Sequence, residues 1–324
     1  MRFLRRRILH SLFLLVGVSL LCFTLFRMVP GDYVSEMRLN PQISAATLAG
    51  LRTQYGLDQP LPGQYIRWLG SVMRGEFGYS FAYNTPVGPL LGLRFKNTLL
   101  LALPAMALAW ILALGMGCWS AWHRERWQDN VVSTGATVLL IMPDIVIALG
   151  LLLLALRSGW FAVGGMVSLN FEQLSFAAKL KDIVAHFTLP VAALTLSSLP
   201  VLVRHVRAAV IEVLDAPYTR AARGHGIAGA RLVFRHVLPA ACNPLVSLLG
   251  VSIAGLLSGS LLIEVIMSWP GLGPLLLEAV QARDLYVIIG CVVISTGLLV
   301  VGSMLSDVLL FLMDPRIRAE ASEK

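Results

Sequence analysis

Six apolar runs, each long enough to cross a bilayer as a helix, constrain this chain more than any other feature of its sequence. They cover residues 8–26, 98–122, 130–156, 187–203, 237–263 and 285–306, the last with a possible continuation past Asp307 to Leu312. A helix of ~20 residues spans the ~30 Å hydrocarbon layer. It must be a helix, because lipid offers no water to backbone N–H and C=O groups. The third run carries one charge, Asp144, and the fourth is the shortest. Composition agrees: 57% of residues are hydrophobic, 14% are charged, and the mean hydropathy is +0.76. A soluble domain is closer to ~25% charged.

The first run follows a basic segment with Arg5, Arg6 and Arg7, which resembles the start of a signal peptide. It exceeds the usual ~7–15-residue apolar region, and no small-residue cleavage site follows, so we read a retained helix. Lys and Arg near the span ends set the orientation. Fifteen of the 26 basic residues fall before run 1, between runs 2 and 3, between runs 4 and 5, and after run 6. That side holds much less connecting chain than the other, so both termini are expected in the cytoplasm. The same asymmetry accounts for the net charge of +8 and the pI near 9.7, without a nucleic-acid partner. Cys22, Cys118, Cys242 and Cys291 lie in or beside apolar runs, without metal-ligand spacing or an evident disulfide partner.

Three connections are longer than turns. The external segment 30–97 carries helical patterns over 44–55 and 64–73, the second placing Tyr65, Trp68, Leu69 and Val72 on one face. It reads equally as a cap over helix ends or as a docking surface. The external segment 157–186 contains Gly159, Gly164 and Gly165 and no assignable pattern. The segment 204–236 is rich in arginine, alanine and glycine. Pro217 suits the first turn of a short helix over 218–224, and Gly224, Gly226 and Gly229 permit a sharp turn. A second helix over 230–237 leads to Leu238 and Pro239. A helix–turn–helix held out by two spans suits a lever that seats on another protein. Charge asymmetry alone explains Arg204, Arg207 and Arg235, but not the alanine and glycine spacing.

Asp144 follows Pro143 inside the third run. An intramembrane carboxylate faces a polar cavity or a partner, so Asp144 either meets a cation on a transported solute or pairs with a neighbouring helix. Glu264 and Asp307 lie near span ends, and Met267 and Trp269 read as interfacial packing. The chain has no G-x-x-x-x-G-K-[ST] phosphate loop, no H-E-x-x-H and no G-x-S-x-G. We therefore expect no catalytic site, no metal site and no cofactor in this chain.

Residues 220–239 carry a family resemblance. Arg220-Ala221-Ala222, three residues, Gly226, nine residues, then His236-Val237-Leu238-Pro239 resembles the EAA loop of ABC importer permeases, with Arg220 and His236 in place of glutamate and isoleucine. The surrounding Tyr218 to Gly226 stretch is similar to the variant in dipeptide, oligopeptide and nickel permeases. Pro30-Gly31-Asp32, Tyr55 to Leu61, Gly75 to Ser80, Trp269-Pro270-Gly271-Leu272-Gly273 with Arg283-Asp284, and Asp314 to Arg318 also resemble that family, in order.

The resemblance implies an all-α polytopic membrane protein of six transmembrane helices, with the permease fold of type I ABC importers and a small external helical cap. It divides the chain into residues 1–29 (tail and first span), 30–97 (external region), 98–312 (permease core with the coupling loop 204–236) and 313–324 (cytoplasmic tail). It implies ATPase coupling through Tyr218, Arg220, Ala221, Ala222, Arg223, Gly226, Leu238 and Pro239. Asp144 departs from the family, which often has an uncharged residue after this proline. The cost of an intramembrane carboxylate is what leads us to expect Pro143 and Asp144 to line the pathway. Trp269, Pro270, Gly271 and Gly273 are expected to form the external mouth where a binding protein docks. The implied partners are a second permease, two cytosolic ATPases that bind ATP and Mg, an extracytoplasmic binding protein, and the lipid of a bacterial inner membrane. Peptides are the expected cargo. Nickel chelates or another small solute are the alternative within this architecture, and an ion-coupled secondary transporter is the alternative outside it.

Overall fold

The computed structural model describes residues 2–28, 50, 59–80 and 82–313. The helix expected over 44–55 falls outside them apart from Gly50, as do the motifs at 30–32 and 314–318. The described chain is helical apart from a two-stranded hairpin. Its elements are α1 (Arg2–Met28), α2 (Leu61–Val72), strands β1 (Tyr79–Ser80) and β2 (Thr85–Pro86), α3 (Val87–Trp122), α4 (Trp127–Ile141) and α5 (Asp144–Ser158). After a 3-10 turn (Phe171–Gln173) come α6 (Phe176–Asp215), α7 (Pro217–Gly224), α8 (Gly229–Leu232), a π turn (Val233–Val237), α9 (Leu238–Ile266), α10 (Leu272–Gln281) and α11 (Leu285–Met313).

Among the described residues α1, α3, α6 and α11 are each long and apolar enough to cross a membrane, and the bent pair α4–α5 makes a fifth candidate. The remaining run at 237–263 forms the 29-residue α9. Two runs take a different form from that expected. The third is not one helix: α4 and α5 meet at a 100° bend. Met142 is extended (φ −73°, ψ 122°) because the ring of Pro143 disfavours the α conformation in the residue before it. Asp144 therefore opens α5 and does not sit in mid-helix. The fourth run lies within the 40-residue α6, which continues through Pro190 and Pro200 to Asp215 and so makes Arg204 and Arg207 helical. Helix α2 begins at Leu61, earlier than 64, because Pro60 and Pro62 suit its first turn.

The chain forms two compact units. In Met1–Thr98 with Pro270–Gly297, Phe23 packs against Tyr65, Trp68 and Ile289. The Tyr65 hydroxyl lies 3.0 Å from that of Ser19, and Trp68 Nε1 donates to Phe77 O at 3.2 Å. The face predicted for α2 is thus buried in packing. In the same unit the buried Asp284 carboxylate accepts hydrogen bonds from Ser80 Oγ (2.7 Å) and Ala82 N (3.2 Å), which ties the hairpin to the start of α11. The Tyr83 hydroxyl donates to Glu278, and burial together with that carboxylate holds the phenol above its ordinary pKa range.

In Leu99–Trp269 with Leu298–Lys324, two apolar clusters form around α6. Helices α9 and α11 meet through small residues, because lipid supplies little hydrophobic drive and close approach provides the attraction. A Cβ on Gly302 would lie 2.8 Å from Ile253 Cγ2, and one on Gly250 would lie 2.9 Å from Ser306 Cβ. Ser306 Oγ donates to Val246 O at 2.6 Å across the same seam. Replacing Gly302 by leucine is therefore expected to lower the Tm of the detergent-purified chain, at a cost of ~1–3 kcal/mol from overpacking. The same change at Gly297, where the structure leaves open space, is expected to be near neutral. Tryptophan fluorescence melts of the two variants compare them directly.

Candidate functional site

The expected coupling element begins at the end of α6, where Ala216 turns extended and Pro217 starts α7. One face of α7 points inward: Thr219 is fully buried and Ala222 packs on the α6 cluster. The other face, with Tyr218, Arg220, Ala221 and Arg223, is exposed. The Arg223 guanidinium sits 5.8 Å from the ring centre of Trp122, a cation–π contact.

Helix α7 ends in a Schellman motif. Ile227 N donates to Ala222 O (3.1 Å), Gly226 N donates to Arg223 O (2.9 Å), and Gly226 adopts φ +81°. The motif requires a left-handed residue four positions after the first carbonyl it satisfies, with an apolar contact between its ends. Ala222 and Ile227 both pack against the same cluster. The spacing from Ala222 to Gly226 is thus a backbone hydrogen-bond pattern. Of the two alanines, Ala222 faces this chain's own core, and Ala221 alone is open to a partner.

Past Gly229, also left-handed at φ +59°, α8 passes through the π turn into α9 without leaving helical geometry. Pro239 has no N–H for the carbonyl four residues back, and widening the preceding turn accommodates the ring. Leu238 is half-buried and Pro239 exposed, at the base of α9. Beside α7 lies a groove of about 510 Å³ lined by Trp122, Arg124, Asp215, Arg223, Gly226 and Ile227, among others.

Below this element is a constellation that sequence reasoning missed. Asp129, in the first turn of α4, is buried and receives both Arg207 Nε and Arg207 Nη2 at 2.7 Å. Ser120 Oγ donates to it at 2.5 Å and Glu125 N at 3.1 Å. A bidentate, charge-assisted pair of this kind fixes orientation as well as position. It joins the end of α3, the start of α4 and the last turns of α6, the stem that carries α7. Arg207 therefore has a specific partner, beyond the charge asymmetry that explained it from sequence. The available signal was an acidic residue at the very edge of an apolar run.

Pro143 and Asp144 stand at the α4–α5 bend, and Asp144 lines a pocket of about 220 Å³ with residues of α6 and α9. Trp269 is wholly buried, its ring edge-to-face with Phe187 at 4.6 Å, and Trp269 N donates to Glu264 O at 2.8 Å. In the other unit Pro270 O accepts from Asn97 Nδ2 (2.8 Å) and Leu272 N donates to Thr98 Oγ1 (2.9 Å), while Gly271 and Gly273 are buried. Pro270 is half-buried, and Ser268, just before the buried Trp269, is exposed. No group of three metal-ligating side chains occurs among the described residues.

Residues 113–319 match the family described as the binding-protein-dependent transport system inner membrane component, and residues 1–102 match its N-terminal companion. The chain belongs to this family. It is 35% identical over 314 residues to the oligopeptide transport system permease protein AppB of Bacillus subtilis (strain 168), covering 96% of this chain and 98% of that one. It is also 35% identical over 326 residues to the di/tripeptide transport system permease protein DppB of Pseudomonas aeruginosa (strain UCBPP-PA14), covering 93% and 94%. Among solved structures, the inward-facing MetNI methionine ABC transporter aligns at a TM-score of 0.57 and 17% identity, covering 69% of this chain and 96% of that one. An amino acid ABC transporter aligns at 0.51 and 19%, covering 68% and 93%. These two establish the permease fold.

Two predictions follow from this permease's geometry. Asp129→Ala strands a partly buried guanidinium and is expected to destabilise the protein by ~3 kcal/mol, seen as a lower Tm in detergent; an unchanged Tm would show that the ion pair contributes nothing net. At Gly226 the constraint is backbone conformation, since a Cβ there meets open space. Alanine is expected to cost ~1–2 kcal/mol and asparagine less, so substrate-stimulated ATPase activity of the reconstituted complex should fall in the order Gly, Asn, Ala, Val.

Proposed function

We propose that this permease is one half of the membrane pore of an ATP-driven importer, carrying peptides handed over by an extracytoplasmic binding protein. The observation that carries the reading is α7: a short helix opened by Pro217 and closed by a Schellman motif, with an exposed face of Tyr218, Arg220, Ala221 and Arg223, in a chain whose sequence holds no phosphate loop. The energy source is then another polypeptide, and α7 is the surface through which its motion arrives. The names of the relatives support peptides as cargo.

In this reading the chain crosses a bacterial inner membrane six times with both termini in the cytoplasm. It comprises the first span with its tail (1–29), an external region (30–97), the permease core (98–312) and a cytoplasmic tail (313–324). A homologous second permease completes the pathway, and two cytosolic subunits bind ATP and Mg. ATP-driven closure of those subunits draws the two coupling helices together, and the π turn before Leu238 and Pro239 passes the movement into α9 as a rigid-body rotation. The turn from Trp269 to Gly273 frames the external mouth. Pro143 and Asp144 face the pathway.

Purification from the native membrane in a mild detergent, followed by mass spectrometry, is expected to recover a second permease and two Walker-motif ATPases. Adding the binding protein should then support ATP-dependent peptide uptake into proteoliposomes. Reproducible isolation of this chain without any ATPase, together with uptake driven by an ion gradient, would overturn the proposal.

A further inference from the structure

The pocket at the α4–α5 bend has one chemical character throughout. Its polar lining consists of the Asp144 carboxylate and the hydroxyls of Ser197, Ser198 and Ser252; the rest is Leu194, Val201, Leu202, Leu248 and two glycines. Among the described residues the Asp144 carboxylate makes no hydrogen bond and no ion pair. The hydroxyls of Ser198 and Ser252 donate back to their own helix, to Leu194 O at 2.9 Å and Leu248 O at 2.8 Å. With their protons committed, their lone pairs face outward as acceptors. Ser197 Oγ is shielded from solvent and has no hydrogen-bond partner. The pocket thus offers one negative charge and several acceptors, and no cation to satisfy them.

Each feature has a cost that a structural role does not offset. A carboxylate at membrane depth is expensive unless paired, and a buried hydroxyl without a partner loses its hydration with nothing in return. The N-terminus of α5 relieves only part of the first cost. The α9 wall lies beside the carboxylate: a Cβ on Gly259 would stand 3.6 Å from Asp144 Oδ2, in ordinary van der Waals contact. A divalent metal is a poor match, since such ions take six or more oxygen ligands and usually several carboxylates. A primary ammonium is a good one. It is a compact monovalent cation with three N–H donors, which Asp144, Ser197 and one of the other serines can receive. About 220 Å³ is too small for a whole peptide, so the pocket takes one end of it.

The geometry points to a subsite for a primary ammonium group on the transported solute, with Asp144 as its counter-charge and Ser197 as a positioning acceptor. The inference rests on the peptide-import reading, and the ammonium can come from a peptide amino terminus or from a lysine side chain.

Uptake by the complete reconstituted complex separates these sources. Three peptides are used, each first shown to bind the binding protein: one with a free amino terminus and no lysine, its N-acetylated form, and an N-acetylated form containing lysine. Asp144→Asn preserves size and helix-start chemistry. It is expected to reduce uptake of the free-amine peptide about tenfold, as loss of a charge-assisted hydrogen bond implies. Uptake of the acetylated lysine-free peptide should stay within about twofold of wild type. Ser197→Ala should give the same pattern more weakly, and Asp144→Glu should restore part of the selectivity. An equal loss for the lysine-containing acetylated peptide would assign the site to side-chain as well as terminal amines. If Asp144→Asn affects all three peptides equally, or none, the inference is wrong and Asp144 is structural. A wild-type complex that carries no peptide at all would overturn the cargo assignment, and this inference with it.

Discussion

Every peptide N–H and C=O that enters hydrocarbon must find its partner within the protein. This requirement makes the described chain almost wholly helical and makes each departure from regular helix informative. The long helices α6 and α9 absorb their prolines, Pro190 and Pro200 in one and Pro244 in the other, because they are packed by neighbours. At three helix ends the chain leaves helical geometry with the last carbonyls accounted for. Gly226, Ser268 and Arg283 each stand in the left-handed conformation at the end of a helix, with the preceding carbonyls taken up by Schellman hydrogen bonds.

The α7 end of the molecule shows how local chemistry and tertiary packing combine. The Schellman motif fixes the length of α7, Ala222 and Ile227 anchor it on the α6 cluster, and the Asp129–Arg207 pair braces the stem beneath it. The lever role proposed for α7 needs a stiff arm and a pivot. The ion pair supplies stiffness through a geometry that two parallel hydrogen bonds define. The π turn supplies a place where helical pairing is already altered, ahead of a proline that cannot donate.

At the α4–α5 bend the same proline chemistry shapes a pocket. Pro143 breaks the third run, the break turns Asp144 into the first residue of α5, and the bend exposes that carboxylate to a pocket of acceptor oxygens. A straight helix would have buried or lipid-exposed this charge. The bend provides a polar recess in which a carboxylate can await a cation.

Much of this was legible in the sequence. Apolar run lengths gave the membrane class, and α11 and α1 follow their runs closely, because burial in lipid depends on hydropathy alone. Pro217 and the glycines located α7, since φ restrictions are properties of single residues. The face of α2 was readable from spacing, because period and amphipathicity travel together. What stayed hidden depended on residues far apart in the chain: the extension of α6 through Arg204 and Arg207, the partnership of Arg207 with Asp129, and the burial of Trp269 against Phe187. The sequence alone determined that this chain enters a membrane and where its backbone must turn, since hydropathy and torsional limits act locally. Only the tertiary structure decided that Ala222 faces inward and Ala221 outward, and that Asp144 and Ser197 line one pocket, because those facts depend on how helices pack against one another.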